Sequence, residues 1–60
     1  MTGEEFTAWL AHMKLSKIAA ADLLGIGRNT VAHYEKKGAP AYIGYACAAI
    51  AFGLPKWSGV

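Results

Sequence analysis

The sequence predicts an all-α fold, a compact bundle of four or five short helices that contains a helix-turn-helix. Apolar side chains recur at helical spacing between Phe6 and Met13. Further along, Gly25-Ile26-Gly27 separates two short helical patterns, and a tight turn containing glycine between two such helices is typical of a helix-turn-helix. Residues 38–55 then carry no charge, which is typical of a helix that is buried on most sides.

Length and cysteine content restrict the sources of stability. Sixty residues form one small domain, 1–60, and a chain of this size buries only about 60% of the surface that its unfolded form exposes. Cys47 is the single cysteine, so no internal disulfide can form, and its spacing from His12 and His33 matches no zinc motif. Extra stability must therefore come from close helix packing or from a second subunit. We expect no metal and no cofactor.

The first helix is predicted over residues 3–13. Thr2 and Glu5 have the spacing of a capping box, in which each residue binds the backbone of the other at the start of a helix. This acidic start lacks the positive segment of a secretion signal, and with the lone cysteine it indicates a cytoplasmic protein. Four apolar side chains then recur at i, i+3, i+4 and i+7 and are predicted to enter the core: Phe6, Trp9, Leu10 and Met13.

The second helix is predicted over residues 17–24, with Ser16 as its N-cap. Lys17 lies in the first turn, where the positive end of the helix dipole disfavours a cation. A bound phosphate would explain this charge, and a tolerated surface lysine is the alternative. Gly25 can adopt the left-handed conformation that ends a helix and turns the chain.

The third helix is predicted over residues 28–37, with Val31 and Tyr34 pointing inward. Five of the six basic residues, but only two of the four acidic residues, lie between 14 and 37. Such a concentration is expected of a phosphate-binding surface, although a solvated polar side of a helix would also account for it. By the helical period of 3.6 the outward positions are these: Arg28, Asn29, Ala32, His33 and Lys36.

Small and apolar residues recur at fixed positions from Lys17 to Lys36. If Lys17 is counted as the first residue, they stand at the fourth, fifth, eighth, tenth, fifteenth and eighteenth positions, with Gly25 at the ninth: Ala20, Ala21, Leu24, Ile26, Val31 and Tyr34. This pattern resembles the DNA-binding helix-turn-helix of the phage Cro-type repressors, the XRE-like family. The resemblance implies a lambda-repressor-like DNA-binding fold. Two positions depart from the family pattern, since Ala20 is often a larger aliphatic residue there and Gly27 stands where serine or threonine usually caps the next helix.

The resemblance also assigns roles to outward side chains. The family's base-contacting positions map onto three residues: Arg28, Asn29 and His33. Arginine can contact guanine through two hydrogen bonds, and asparagine can do the same with adenine. Four other residues are better placed for phosphates: Lys17, Thr30, Lys36 and Lys37. Capping or partial burial is the alternative for Thr30, and Glu35 is expected to be structural and paired with a nearby lysine.

These roles imply a sequence-specific double-stranded DNA-binding transcriptional regulator and not an enzyme. The resemblance points to a phage or mobile-element repressor that binds a palindromic operator in the major groove as a dimer, and such small repressors commonly act on their own promoter. No nucleophile lies beside a plausible base, and no small-molecule ligand is evident.

The fourth helix is predicted over residues 40–52. The uncharged stretch between Pro40 and Pro55 is too short to cross a membrane, which takes about 20 residues. A helix that is apolar nearly all round must be buried nearly all round, so we expect a second copy to cover it. The predicted homodimer interface consists of Tyr42, Tyr45, Ala46, Ala49, Ile50, Phe52 and Trp57, although Trp57 could instead pack on the first helix. The alternative function is a protein–protein interaction module that docks through residues 41–54.

Overall fold

The computed structural model describes residues 1–57, which form four helices and no strand. The helices are α1 (Gly3–Met13), α2 (Lys17–Leu24), α3 (Arg28–Lys37) and α4 (Ala41–Ala51). The all-α bundle predicted from the sequence is therefore confirmed, with four helices in the described range. None of these helices is long and apolar enough to cross a membrane.

A reciprocal capping box starts α1, as the sequence predicts. The Thr2 hydroxyl accepts a hydrogen bond from the Glu5 backbone N–H at 3.1 Å, and the Thr2 N–H donates to the Glu5 carboxylate at 2.7 Å. The bond from the Thr2 backbone favours the charged carboxylate and lowers the pKa of Glu5. The helix ends at Met13, and the C-cap residue Lys14 adopts the left-handed conformation at φ 56°.

The core lies where one side of each helix meets the others. Phe6 is fully buried, and its ring meets the edge of Tyr34 at a centroid distance of 5.6 Å, which ties α1 to α3. The indole Nε1 of Trp9 donates a buried hydrogen bond to the Cys47 carbonyl at 3.1 Å, which ties α1 to α4. The buried residues are Phe6, Trp9, Leu10, Ala20, Ala21, Val31, Ile43 and Cys47. Met13 is half-buried against them, so the predicted apolar side of α1 is confirmed.

The start of α1 and the end of α3 approach so closely that only glycine fits between them. A side chain at Gly3 would collide with the backbone carbonyl of Glu35. Gly38, which follows α3, has a φ of 92°, and a side chain there would meet the Met1 carbonyl. The Ala39 N–H donates to that same carbonyl at 2.8 Å. The chain beyond α3 is therefore fixed against the start of α1.

Pro40 corrects one detail of the sequence prediction, because it precedes α4 and is not part of its first turn. It is the N-cap, with an extended ψ of 162°, and its carbonyl accepts from the Ile43 N–H at 3.0 Å. An N-cap residue has just this combination of a non-helical backbone and an accepting carbonyl. The helix therefore begins at Ala41.

The Trp9 hydrogen bond predicts a specific loss of stability. Trp9→Phe keeps a ring in the core but removes the indole donor to the Cys47 carbonyl, so the free energy of unfolding should fall by about 1–2 kcal/mol. Trp57→Phe is the matched control, because Trp57 is 85% exposed and should change stability by less than about 0.5 kcal/mol. Urea unfolding followed by circular dichroism at one protein concentration measures both variants, and equal effects would show that the indole bond contributes nothing.

The close approach at Gly3 predicts two glycine substitutions of opposite sign. Gly3→Ala pushes a methyl group into the Glu35 carbonyl and should destabilise the fold by about 1–3 kcal/mol. Gly44→Ala adds its methyl 4.0 Å from the Met1 side chain inside α4, where alanine should stabilise the helix by about 0.5–1 kcal/mol. Thermal unfolding distinguishes the two, and a neutral Gly3→Ala would show that α1 and α3 can separate without cost.

Candidate nucleic-acid interface

The turn between α2 and α3 is built by glycines and small residues. Gly25 ends α2 in the left-handed conformation at φ 70°, and the Ile26 N–H donates back to the Ala21 carbonyl at 3.0 Å. Ala21 is buried and small, so α3 can approach α2 closely and bury Val31 completely. Ile26 and Tyr34 are half-buried against this core, as predicted. Burial of this side fixes which residues of α3 remain in solvent.

The outward side of α3 is exposed and cationic. Asn29, His33 and Lys36 recur at i, i+4 and i+7, so they form one line along the exposed side of the helix. Arg28 lies in the first turn on one flank of this line, and Lys37 lies on the other. All five are exposed, and three are permanent cations. The side chains assigned to bases and phosphates on this helix, apart from Thr30, thus share one accessible surface, named here the α3 surface.

Two residues near the start of α3 differ from this pattern. Thr30 is half-buried, as the capping-or-burial alternative for it allowed. Ala32, which the helical period places outward, is also half-buried. Gly27 is the N-cap, so α3 begins without a side-chain cap hydrogen bond. The exposed side chains in the first turn of α3 are therefore those of Arg28 and Asn29.

Lys17 lies at the start of α2, and its ammonium reaches across to α3. Its Nζ is 3.8 Å from Oε1 of Glu35, which confirms that Glu35 pairs with a nearby lysine. This distance is too long for a hydrogen bond, and within the described residues Oε1 is buried and accepts none. The Lys17 side chain remains 60% exposed. The pair thus joins the start of α2 to α3 and leaves the Lys17 side chain largely accessible.

The predicted dimer residues on α4 divide into two groups. Tyr42, Tyr45 and Phe52 are 67%, 78% and 83% exposed on the outer side of the helix. Ala46, Ala49 and Ile50 are half-buried and line an open groove of about 370 Å³ between α2, α4 and the chain that follows α4. Trp57 lines this groove too, and its side chain is 85% exposed.

Two apolar residues of α2 are exposed that were not predicted from the sequence to lie at the surface. Ile18 and Leu23 are 57% and 46% exposed. The helical period could have identified them, because both lie about 100° from the side defined by Ala20, Ala21 and Leu24. Leu23 extends the groove, and Ile18 is not among its lining residues.

Groups capable of covalent or metal chemistry are sparse in residues 1–57. No three His, Cys, Asp or Glu side chains lie together there. Cys47 is buried, and desolvation raises the pKa of its thiol, which keeps it in the unreactive protonated form. Comparisons of the chain with protein-family models, curated proteins and solved structures find no match. The exposed side chains of α2, α3 and α4 are therefore the groups from which a function is inferred below.

The pair between Lys17 and Glu35 predicts a small, salt-sensitive coupling. A double-mutant cycle with Lys17→Ala and Glu35→Gln should give a coupling energy of about 0.5 kcal/mol, because Lys17 is largely solvated. The coupling should shrink in 1 M salt, where the Debye length is about 3 Å. Lys36→Ala with Glu35→Gln is the control cycle, since neighbours i and i+1 on a helix do not face each other. Equal coupling in both cycles would contradict the pair.

Proposed function

We propose that the chain is a sequence-specific double-stranded DNA-binding protein that regulates transcription. The observation that supports this most directly is the α3 surface, on which Arg28 and Asn29 are exposed in the first turn of the helix and His33 one turn later, while Val31 anchors its other side. The N-terminal part of a recognition helix is the part that contacts base edges in the major groove. A binding role, and not catalysis, is what these residue types support.

Each side chain of the α3 surface has a distinct task in the proposal. Arg28 offers two parallel N–H groups to guanine O6 and N7, and Asn29 offers its amide to adenine N6 and N7. His33, one turn further along, reads the adjacent base pair. Lys36 and Lys37 lie at the end of the helix, where they hold phosphates and set the register without reading sequence.

Two groups beside the α3 surface complete the proposed contacts. Lys17 adds a phosphate contact from the start of α2, where backbone N–H groups and the helix dipole also favour an anion. Thr30, being half-buried, contributes at most its hydroxyl. Lys17 and the two lysines of the α3 surface together would contact phosphates of the DNA backbone.

We further propose that two copies bind an inverted repeat. Two recognition helices related by a two-fold axis reach successive major grooves about 34 Å apart, which is one turn of B-DNA. Occupancy of a promoter would then block transcription, as in phage or mobile-element repressors that act on their own promoter. A cytoplasmic location follows from this proposal, because DNA is the ligand.

A protein-interaction module is the second candidate, and the exposed apolar side of α4 favours it. Tyr45 and Phe52 are mostly solvent-exposed, and large exposed apolar side chains mark interaction surfaces. The α3 surface distinguishes the two functions, since a cationic and amide-bearing surface fits a polyanion better than a protein. The two surfaces lie on different helices, so a dimeric DNA-binding protein accounts for both.

The proposal predicts two kinds of loss on DNA. Arg28→Ala or Asn29→Ala should weaken binding to the preferred site by about 1–3 kcal/mol and relax the base preference at one position. Lys36→Ala should weaken binding evenly across sequences and reduce the slope of log affinity against log salt by about 1. Fluorescence anisotropy with a selected site, at several salt concentrations, measures both quantities.

The charge-matched control is Lys56→Ala, because Lys56 lies beyond α4 and lines the groove. It should leave the affinity and the salt slope nearly unchanged. If Lys56→Ala reduces the slope as much as Lys36→Ala does, binding is a non-specific effect of net charge. If Arg28→Ala keeps full affinity and the same base preference, α3 does not read the bases.

A further inference from the structure

The outer side of α4 carries an apolar stripe with the spacing of a helix–helix seam. Its members are exposed and follow one another at intervals of four, three and four residues: Ala41, Tyr45, Ala48 and the C-cap residue Phe52. These intervals keep residues on one side of a helix that pairs with another helix. Ile43 and Cys47, on the opposite side, are buried in the core of the chain. The stripe, named here the α4 stripe, is therefore left without an intramolecular partner.

The sizes of these side chains determine which pairing is possible. Small and large residues alternate along the α4 stripe, from Ala41 to Tyr45 to Ala48 to Phe52. In an antiparallel pair of identical helices centred between residues 46 and 47, Tyr45 lies opposite Ala48 of the partner subunit. In the same register Ala41 lies opposite Phe52 of the partner subunit. Each large ring then fills the space above an alanine, which is how well-packed layers interdigitate.

A parallel pair would bring identical residues together and pack poorly. Tyr45 would meet Tyr45 of the partner subunit, while Ala48 would meet Ala48 of the partner subunit. Collisions would then alternate with voids, and both cost packing energy. The alternation of sizes therefore favours the antiparallel arrangement.

The exposed apolar area of the described chain is concentrated at its C-terminal end. The most exposed large apolar residues belong to α4 and to the chain after it. Contiguous exposed apolar surface of this kind marks interaction sites. A second copy of α4 would cover part of this apolar area.

Charge does not oppose the association of two copies. No charged residue lies between Lys37 and Lys56, so two α4 helices can meet without like-charge repulsion or the desolvation of an ion. The cations of the α3 surface lie on another helix and stay outside this contact.

We propose that two copies of the chain associate through an antiparallel α4–α4 pair along the α4 stripe. The two-fold axis passes between the levels of residues 46 and 47. Tyr45 packs on Ala48 of the partner subunit, and Phe52 packs on Ala41 of the partner subunit. The pairing does not require DNA, and it deepens the dimer part of the proposed function by naming its surface. The groove beside Trp57 stays outside the contact.

Disulfide trapping tests the register. Chains with Ala41→Cys and chains with Phe52→Cys are mixed in equal amounts without DNA and mildly oxidised. The antiparallel pair should give mainly the mixed disulfide, because positions 41 and 52 lie opposite each other. Two copies of position 41 would be separated by 11 helical rises, about 16 Å, whereas a disulfide needs Cα atoms about 4.4–6.8 Å apart. Native Cys47 is buried and should not take part.

Equilibrium sedimentation tests the energetics with matched variants. Phe52→Ala should raise the dimer dissociation constant by about tenfold or more, as expected of an interface anchor. Leu23→Ala and Trp57→Ala alter exposed apolar residues of the groove and should change the constant by less than about fivefold. Phe52 is 83% exposed, so its replacement should not unfold the chain, and circular dichroism checks this.

Three results would overturn the proposal. One is a 6.4 kDa monomer at all concentrations up to the millimolar range. A second is a predominance of the two homodisulfides, which indicates parallel helices. The third is a dimer that is lost with Trp57→Ala or Leu23→Ala and kept with Phe52→Ala, which indicates the groove. Because these measurements contain no DNA, a failure of DNA binding would leave them unchanged.

Discussion

The contact between Phe6 and Tyr34 joins the first helix to the third, and the exposed surface of α3 depends on it. Phe6 is fully buried, and Tyr34 packs against it edge to face. Val31 is buried one turn earlier on the same side of α3. Once this side is committed to the core, the period of the helix leaves Asn29, His33 and Lys36 in solvent. A rotation of α3 that turned these three residues inward would have to remove the Tyr34 ring from its contact with Phe6.

The chain separates its charge from its exposed apolar area, and this separation gives each surface a different chemistry. The α3 surface is rich in cations and hydrogen-bond donors, whereas the α4 stripe has neither charge nor strong donors apart from the Tyr45 hydroxyl. Binding of a polyanion to the α3 surface would be favoured by the release of counterions. Binding of a second apolar helix to the α4 stripe would be favoured by the burial of its aromatic rings. Neither surface suits the ligand proposed for the other, so the two proposed partners do not compete for one surface.

Small size makes the few long-range contacts of the fold important. A domain of 60 residues has little apolar surface to bury and is marginally stable by itself. Among the described residues, three polar or close backbone contacts join α1 and the residues just before it to the later chain: the Trp9 bond to Cys47, the approach of Gly3 to Glu35 and the bond from Ala39 to Met1. The area that the chain leaves exposed on α4 then allows association to supply further stability.

The sequence by itself determined where the first three helices begin and end and which side of each is buried. Caps such as Thr2 and Ser16, the left-handed Gly25 and the apolar spacing of α1 act within one or two helical turns, so their physical effects can be read from neighbouring residues. The exposed positions Arg28, Asn29 and His33 followed from the same periodicity. Only the tertiary structure decided that Lys17 pairs with Glu35, that Trp9 bonds to α4, and that the apolar residues of α4 divide between an outer stripe and a groove. The physical reason is that α4 is apolar on nearly every side, so its periodicity carries no information about its rotation, which packing against α1 and α2 alone fixes.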